Sequence, residues 1–199
     1  MRTYGKIYIR NKIKLCVLSL NESCGTTHLA LSCANYYASK ERLSVLYVEC
    51  APNSGITGFR TEKVITVGST TGFKYKGVVY MPVCSDNEAL ELFDANYDVI
   101  IAESTALRGM AGGVASRCGR RIFTFSAKQW HYSKMQMNMK QIIQQQGIAQ
   151  GDYCSFAING QEARRVYNEF HLRTISVPFI GDPFRLRSSD VSFLKQLLH

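Results

Sequence analysis

The feature that most constrains the fold is a strand-like run, a short polar loop and a helical pattern near the start of the chain. Residues 13–20 form an apolar run of the length of a buried strand. Residues 27–40 place apolar side chains on one stripe at helical spacing, and residues 44–49 form a second apolar run. Strand, loop, helix and strand in this order predict a parallel βαβ unit.

The same alternation continues along the chain. Further strands are predicted at 97–103, 121–126, 154–159 and 174–179, with helices at 87–95, 127–146, 161–170 and 189–198. Between them, the short strand-like pieces 64–67 and 78–81 are joined by a Gly- and Thr-rich stretch, which predicts a hairpin or an edge addition. We therefore predict one domain over 1–199, of the α/β class: a three-layer, doubly wound, mostly parallel sheet with helices on both faces.

Composition indicates a cytoplasmic protein. No run approaches the roughly 18–20 apolar residues that a membrane-spanning helix needs, so no transmembrane segment is predicted, and the first 14 residues contain no apolar signal-peptide core. The seven cysteines show no CxxC pair and no metal-type spacing. Several lie inside apolar runs, where a thiol behaves as a small hydrophobic group, so we expect reduced cysteines.

The loop between the first strand and the first helix has the frame of a phosphate-binding loop. Aligned with the pattern GxxxxGK[ST], its last glycine is Gly25, and Thr26 stands at the lysine position. Thr27 stands where a hydroxyl would hold Mg²⁺. Two carboxylates follow at strand ends, Glu49 at the end of the second predicted strand and Glu103 at the end of the third. The frame of the loop is present, but its positive charge is missing.

Taken together, these motifs resemble those of the MinD/ParA group of P-loop ATPases. That group has a KGGxGKTT loop, a V-x-D-x-D-P strand end and a Y-D-x-I-I-I-D strand end, which correspond here to the loop at 21–28, to YVECAP and to YDVIIAE. The resemblance extends over essentially the full length, including VPFIGDPFRLR, which is similar to the stretch on the base-binding side. It implies a P-loop NTPase-like fold in a bacterial-type protein.

Residue by residue, the match is uneven. Asn21 stands at the signature lysine, Glu22 and Ser23 replace two glycines, and His28 takes the last threonine of the loop. Glutamates replace the strand-end aspartates, and Ala51 replaces the second aspartate of the first strand end. The resemblance implies a cofactor site made of Asn21, Ser23, Cys24, Gly25, Thr26, Thr27, His28, Glu49, Glu103, Pro178 and Asp182, with Thr27 and Glu103 as the metal ligands.

The residues that differ from the family motif affect the chemistry that the site can perform. Phosphoryl transfer depends on positioning and on stabilising phosphate charge, and a threonine at position 26 cannot replace a cation. Glu22 places negative charge beside any polyanion, and positions 22 and 23 lack glycine where positive φ is often needed. Helix N-terminal amides and Thr27 remain as an anion site. Our leading hypothesis is a non-catalytic or nearly inactive MinD/ParA-like protein that acts as a localisation or scaffold partner, with a protein partner or as a homodimer. It would bind ATP and Mg²⁺ weakly at most.

Alternatives stay open at this point. One is an active ATPase with a cation relocated from elsewhere in the chain or from a second subunit, and another is a DNA-binding partition-type module. For single residues, Gly25 and Thr27 could serve only as the turn and N-cap of a helix. Glu49 and Glu103 could be solvated strand-end residues. His28 could be a packing residue, and Cys24 a small loop filler.

Positive charge is concentrated in the middle of the chain. The formal net charge is +9, and no acidic residue lies between Glu103 and Asp152. Six basic residues of this segment are candidates for contact with DNA or an anionic membrane surface, with a solvated basic face as the alternative. They are Arg117, Arg120, Arg121, Lys128, Lys134 and Lys140.

Overall fold

The computed structural model describes residues 12–51, 55–58, 63–111, 113–145 and 149–199. Within these residues, nine strands form one sheet: β1 Ile13–Ser19, β2 Val45–Cys50, β3 Lys63–Val67, β4 Thr70–Tyr75, β5 Val78–Met81, β6 Val99–Thr105, β7 Arg120–Thr124, β8 Asp152–Phe156 and β9 Thr174–Val177. The helices are α1 Thr26–Ser39, α2 Asp86–Leu92, α3 Ala106–Ala111, α4 Gln129–Gln144, α5 Gly160–Phe170 and α6 Ser188–Leu198, with a 3-10 turn at Ala115–Arg117.

The sheet has the order β3-β4-β5-β2-β6-β1-β7-β8-β9. The seven strands from β5 to β9 in that order are parallel, and β3 and β4 add an antiparallel hairpin at one edge. The predicted mostly parallel, doubly wound sheet is therefore confirmed. Both flanking clusters are apolar: α1 and α6 cover one face, while α2, α3, α4 and α5 cover the other.

One strand and one α-helix were not predicted. Strand β4 lies in the Gly- and Thr-rich stretch that the sequence indicated as a connection, and it completes the hairpin between β3 and β5. Its Gly72 packs so closely against the backbone of Tyr80 that no Cβ would fit there. Glycine therefore marks a close approach of strands at this position and not a loop. Helix α3 is a six-residue helix that contains Gly109.

The described part of the chain has no helix that is long and apolar enough to cross a membrane. Its seven cysteines are all buried and free, as the sequence predicted. Burial raises the pKa of the Cys33 thiol to about 12, so this group is inert at neutral pH.

Candidate functional site

The loop after β1 lies at the carboxyl edge of the parallel strands, which is where this class of sheet forms its clefts. A cleft of about 390 Å³ opens there. It is lined by Ser19, Asn21, Glu22, Ser23, Cys24, Gly25, Thr26, Thr27, His28, Ala51, Glu103, Ser104 and Thr105. The structure therefore brings eight of the eleven predicted cofactor-site residues to one cleft, while Glu49, Pro178 and Asp182 do not line it.

Thr26, at the lysine position, contacts the sheet through its side chain. It is 8% exposed, and its hydroxyl lies 2.6 Å from the hydroxyl of Thr124 at the end of β7. The Cys24 thiol lies 3.2 Å from Thr26 Oγ1 and 3.3 Å from Thr124 Oγ1, which closes a buried polar cluster of three side chains. Cys24 is therefore part of the internal packing of the loop. Each of these groups is neutral, so this position supplies no positive charge to the cleft.

Asn21, at the position of the signature lysine, fastens the loop to the next strand and helix. Its Nδ2 donates to the carbonyl oxygens of Ser126 at 2.9 Å and His131 at 3.3 Å, and its Oδ1 accepts from the backbone N–H of Ser126 at 2.9 Å. The side chain is 5% exposed. Asn21 therefore binds this chain's own backbone with all three contacts.

Tyr47, Glu49 and Glu103 face the same side of the sheet as α1 because side chains alternate along a strand. Thr27, in the first turn of α1, donates its hydroxyl to Glu103 Oε1 at 2.5 Å. The Tyr47 hydroxyl donates to the other oxygen, Glu103 Oε2. Both oxygens of Glu103 thus have partners inside the protein. Tyr47 was not predicted, although its spacing of two residues from Glu49 in the same strand was a usable signal.

Glu49 and Glu103 are register partners in adjacent parallel strands, and both are buried, at 3% and 8% exposure. The alternative of solvated strand-end carboxylates is therefore wrong. Glu49 Oε1 accepts from the backbone N–H of Gly55 at 3.0 Å, while Oε2 is buried with no hydrogen-bond partner among the described residues. Burial raises the pKa of Glu103, Glu49 adds to the effect, and the hydrogen bonds from Thr27 and Tyr47 oppose it.

These oxygens test whether the site suits Mg²⁺. Carboxylate and hydroxyl oxygens are the right kind of donor, and the unpartnered Glu49 Oε2 is the kind of atom that a cation would satisfy. However, the two predicted ligands, Thr27 and Glu103, are hydrogen-bonded to each other. The described residues also contain no group of three or more His, Cys, Asp or Glu side chains that could hold a metal. Mg²⁺ would fit only after the Thr27–Glu103 hydrogen bond opened, with phosphate oxygens completing the shell.

The loop backbone has positive φ at two positions, although one of these residues is not glycine. Ser23 adopts φ +51°, in the left-handed region where the resembled family has glycine. Gly25 has φ +83°, and a Cβ there would lie 2.5 Å from ring atom Cε2 of Phe156 at the end of β8. Gly25 precedes the first residue of α1, and no side chain caps the helix there. Of the alternative roles, the N-cap for Thr27 is therefore wrong, whereas Gly25 does form the turn before the helix.

The predicted base-side residues Pro178 and Asp182 do not line the loop cleft, whereas His28 lines it and contacts the segment that holds them. His28 Nε2 is 2.6 Å from the carbonyl oxygen of Ile180, which connects α1 to the segment after β9. Pro178 is exposed in that segment. Asp182 Oδ1 accepts from the backbone N–H of Phe184 at 2.8 Å and so shapes a turn. His28 has the packing role that the sequence left as an alternative.

The candidate basic residues do not form one patch. Arg117, Arg120 and Arg121 lie at the amino end of β7, whereas Lys128 follows its carboxyl end. Four ion pairs also neutralise most of them: Arg117–Asp94 at 2.8 Å, Arg120–Asp152 at 2.9 Å, Lys128–Glu162 at 3.1 Å and Lys140–Glu169 at 3.8 Å. Arg121 donates to the carbonyl oxygen of Ala115 at 2.8 Å. Acidic residues distant in sequence thus offset the acid-free segment.

The chain has the P-loop NTPase-like fold of the MinD/ParA-type ATPases. It is similar to a plasmid partition protein from Borrelia burgdorferi bound to AMPPNP, with 11% identity, a TM-score of 0.66, and 94% of this chain and 96% of that chain covered. It is similar to a ParA family ATPase from Chlorobium tepidum, with 9% identity, a TM-score of 0.66 and coverage of 85% and 84%.

A third similar structure is that of McdA from Cyanothece in complex with ATP, a D38A variant. It has 13% identity and a TM-score of 0.61, with 94% of this chain and 96% of that chain covered. The sequence matches no protein-family model and no curated protein. At these identities, the likeness establishes the fold.

Proposed function

We propose that this chain is a non-catalytic or nearly inactive MinD/ParA-like protein that acts in the cytoplasm as a localisation or scaffold partner and binds ATP and Mg²⁺ weakly at most. The observation that carries the proposal is the charge of the loop cleft. Among the described residues that line it, none is Lys or Arg, and Glu22 and Glu103 both are acidic. A polyphosphate would therefore meet negative charge where catalysis needs positive charge.

The contacts inside the loop support the same proposal. The Thr26 hydroxyl is paired with Thr124, and the Asn21 side chain is bound to backbone groups, so neither lysine position faces a ligand freely. The Thr27 hydroxyl is engaged by Glu103. One similar structure is bound to AMPPNP, and another contains ADP and magnesium. These ligands support ATP and Mg²⁺ as the cofactors to test. Backbone amides at the start of α1 would be the main remaining anion donors.

The first test is hydrolysis of ATP and GTP by purified protein. We expect turnover indistinguishable from a Thr27→Ala variant, because that variant removes the hydroxyl that an active site of this class would need. Ordinary turnover that is lost in Thr27→Ala would overturn the proposal and favour the active-ATPase alternative. The double change Asn21→Lys with Thr26→Lys should not restore turnover, since both positions are committed to internal contacts.

The second test is a titration of ATP with Mg²⁺ against thermal stability. A ligand stabilises a protein by RT ln(1 + [L]/Kd), so a dissociation constant of about 1 mM gives a measurable stabilisation of about 1 kcal/mol at about 5 mM ATP. A dissociation constant in the micromolar range would contradict weak binding.

A protein partner or a second copy of the chain belongs to the same proposal. Trp130 is 79% exposed and Phe179 is 87% exposed, and both follow the carboxyl ends of strands on the side of the loop. Sedimentation velocity of the wild-type chain and of a Trp130→Ser variant tests self-association. Monomers at all concentrations would exclude the homodimer and leave a different protein as partner.

A further inference from the structure

A second cleft, of about 200 Å³, adjoins the loop cleft. It is lined by residues 19–22, by Thr105 at the end of β6, by Leu107 of α3, and by Lys134 and Asn138 of α4. Ser19, Asn21, Glu22 and Thr105 line both clefts, so the two form one continuous depression. This depression extends from the first turn of α1 past the first half of the loop to the side of α4.

Lys134 differs from the other basic residues of the acid-free segment. Arg108 pairs with Asp86 at 3.2 Å, and the others have the ion pairs or the carbonyl contact given above. Lys134 is exposed, and in the described part of the chain it has neither an ion pair within 4.0 Å nor a side-chain hydrogen bond. Its charge is therefore available to a ligand in the second cleft.

The helix that contains Lys134 is hydrogen-bonded to the loop. Asn138, one turn further along α4 on the same face, donates from Nδ2 to the carbonyl oxygen of Leu20 at 2.5 Å. Asn21 makes the contacts to Ser126 and His131 described above, at the start of the same helix. The base of the Lys134 side chain is thus held at a fixed distance from the loop. Asn138 is 7% exposed, and its Oδ1 is buried with no partner among the described residues.

We propose that Lys134 and Asn138 form a site for a phosphate group in this second cleft. A monohydrogen phosphate or a phosphomonoester carries oxygens that accept from the Lys134 ammonium. Its remaining hydroxyl is the donor that the buried, unsatisfied Asn138 Oδ1 lacks, and a shift of this cleft-lining side chain would bring the two together. Glu22 lines the same cleft and opposes the phosphate charge, which limits the affinity. The inference rests on the proposed function, in which the loop after β1 has no lysine of its own. Lys134 would be the cation that a phosphate meets beside that loop.

The test is isothermal titration of the purified chain with inorganic phosphate at constant ionic strength. Lys134→Gln removes the free cation, and Lys140→Gln is the matched control, since it removes the same charge from an exposed position on the same helix that is already paired with Glu169. A charge-assisted hydrogen bond is worth enough for a loss of about tenfold in affinity with Lys134→Gln. We expect less than about twofold with Lys140→Gln, where the charge is partly screened.

Glu22→Gln provides the opposite perturbation and should strengthen phosphate binding severalfold, because it removes a like charge from the same cleft. Parallel titrations with ADP distinguish the two sources of phosphate. Equal dependence of ADP and inorganic phosphate on Lys134 assigns the site to a nucleotide phosphate, and dependence of inorganic phosphate alone assigns it to free phosphate. No phosphate binding at millimolar concentration, or equal losses in Lys134→Gln and Lys140→Gln, would overturn the inference.

The outcome is separable from that of the proposed function. Turnover of ATP that is lost in Thr27→Ala refutes the proposed function whatever phosphate does. Phosphate binding that is insensitive to Lys134→Gln refutes the assignment of Lys134 while leaving an inactive loop in place. Circular dichroism of each variant confirms that the compared proteins are folded alike.

Discussion

Valine substitutions at Thr26 and Thr124, made singly and together, test whether the lysine position of the loop is committed to internal structure. The two hydroxyls lie 2.6 Å apart, and Thr124 is completely buried. Valine has nearly the shape of threonine, so each change removes a hydroxyl and leaves the packing of the side chain almost intact. The measured effect therefore reports the hydrogen bond and not a cavity.

The magnitude follows from what each single change leaves behind. Thr26→Val leaves the Thr124 hydroxyl with only its longer contacts, 3.3 Å to Cys24 Sγ and 3.4 Å to the carbonyl oxygen of Leu18. An incompletely satisfied buried hydroxyl costs about 1–3 kcal/mol, and these weaker contacts favour the lower half of that range. Removing both hydroxyls leaves no orphan partner, so the double variant should lose little more than one single variant. We expect a coupling energy of about 1–2 kcal/mol.

The assay is urea denaturation followed by far-UV circular dichroism, because Trp130 is the one tryptophan of the chain and is too exposed to report on the core. Thr71→Val, at an exposed position of β4, is the control and should change the free energy of unfolding by less than about 0.5 kcal/mol. Strictly additive losses in the double variant would refute the pairing of Thr26 with Thr124. The site would then have a free hydroxyl at the lysine position.

Three further variants probe the loop and its carboxylates. Burial raises the folded-state pKa of Glu103, so the native state binds this proton more tightly than the unfolded state does. The stability of the wild type should therefore fall relative to that of Glu103→Gln as pH rises from the ordinary carboxyl pKa through the raised one. A stability difference that stays constant from about pH 4 to pH 8 contradicts this prediction. Ser23→Gly should raise the free energy of unfolding by about 0.5 kcal/mol, because glycine adopts the positive φ at this position without strain. The control Ser133→Gly, inside α4, should lower it by a similar amount. The midpoints of urea denaturation of the two variants test this difference in sign. Gly25→Ala should lower it by about 2 kcal/mol or more, while Gly160→Ala, where nothing lies within 4 Å of the added Cβ, should be almost neutral by thermal denaturation; equal losses would refute the close approach at Gly25.

Long periodic elements were predictable from the sequence, and short glycine-containing ones were not. The predicted first helix, 27–40, agrees with Thr26–Ser39 to within one residue at each end. It was predictable because its apolar stripe extends over several turns. Strand β4 and helix α3 contain Gly72 and Gly109, which local patterns place in turns. A Cβ at Gly109 would lie 2.8 Å from Leu18 Cδ2, so this glycine serves tertiary packing. That reason is visible only after the sheet has formed.

The candidate site shows the same division. The positions of Thr26, Thr27 and Glu103 followed from the frame of the loop and the strand ends, because these depend on sequence spacing. Their partners Tyr47 and Thr124 depend on strand register, which places residues from separate strands on the α1 side of the sheet. The ion pairs of the basic segment also depend on tertiary structure, since Asp152 lies 32 residues from Arg120. A charge run in sequence therefore overstated the positive charge of the surface.

The shape of the loop and its chemistry are subject to different constraints. A connection from β1 to α1 must turn sharply at the carboxyl edge of the sheet, and the positive φ values of Ser23 and Gly25 provide that turn with or without a phosphate. Serine tolerates this conformation at a cost of about 1 kcal/mol, so a loop with serine here can have the same shape as a loop with glycine. A neutral side chain at either lysine position has no comparable effect, because it does not stabilise phosphate charge as a cation does. The hydroxyls and amides left at those positions are satisfied instead by Thr124, Ser126 and Glu103. The shape of the turn therefore says little about activity, and the partners of the polar side chains at the loop are the observation that bears on it.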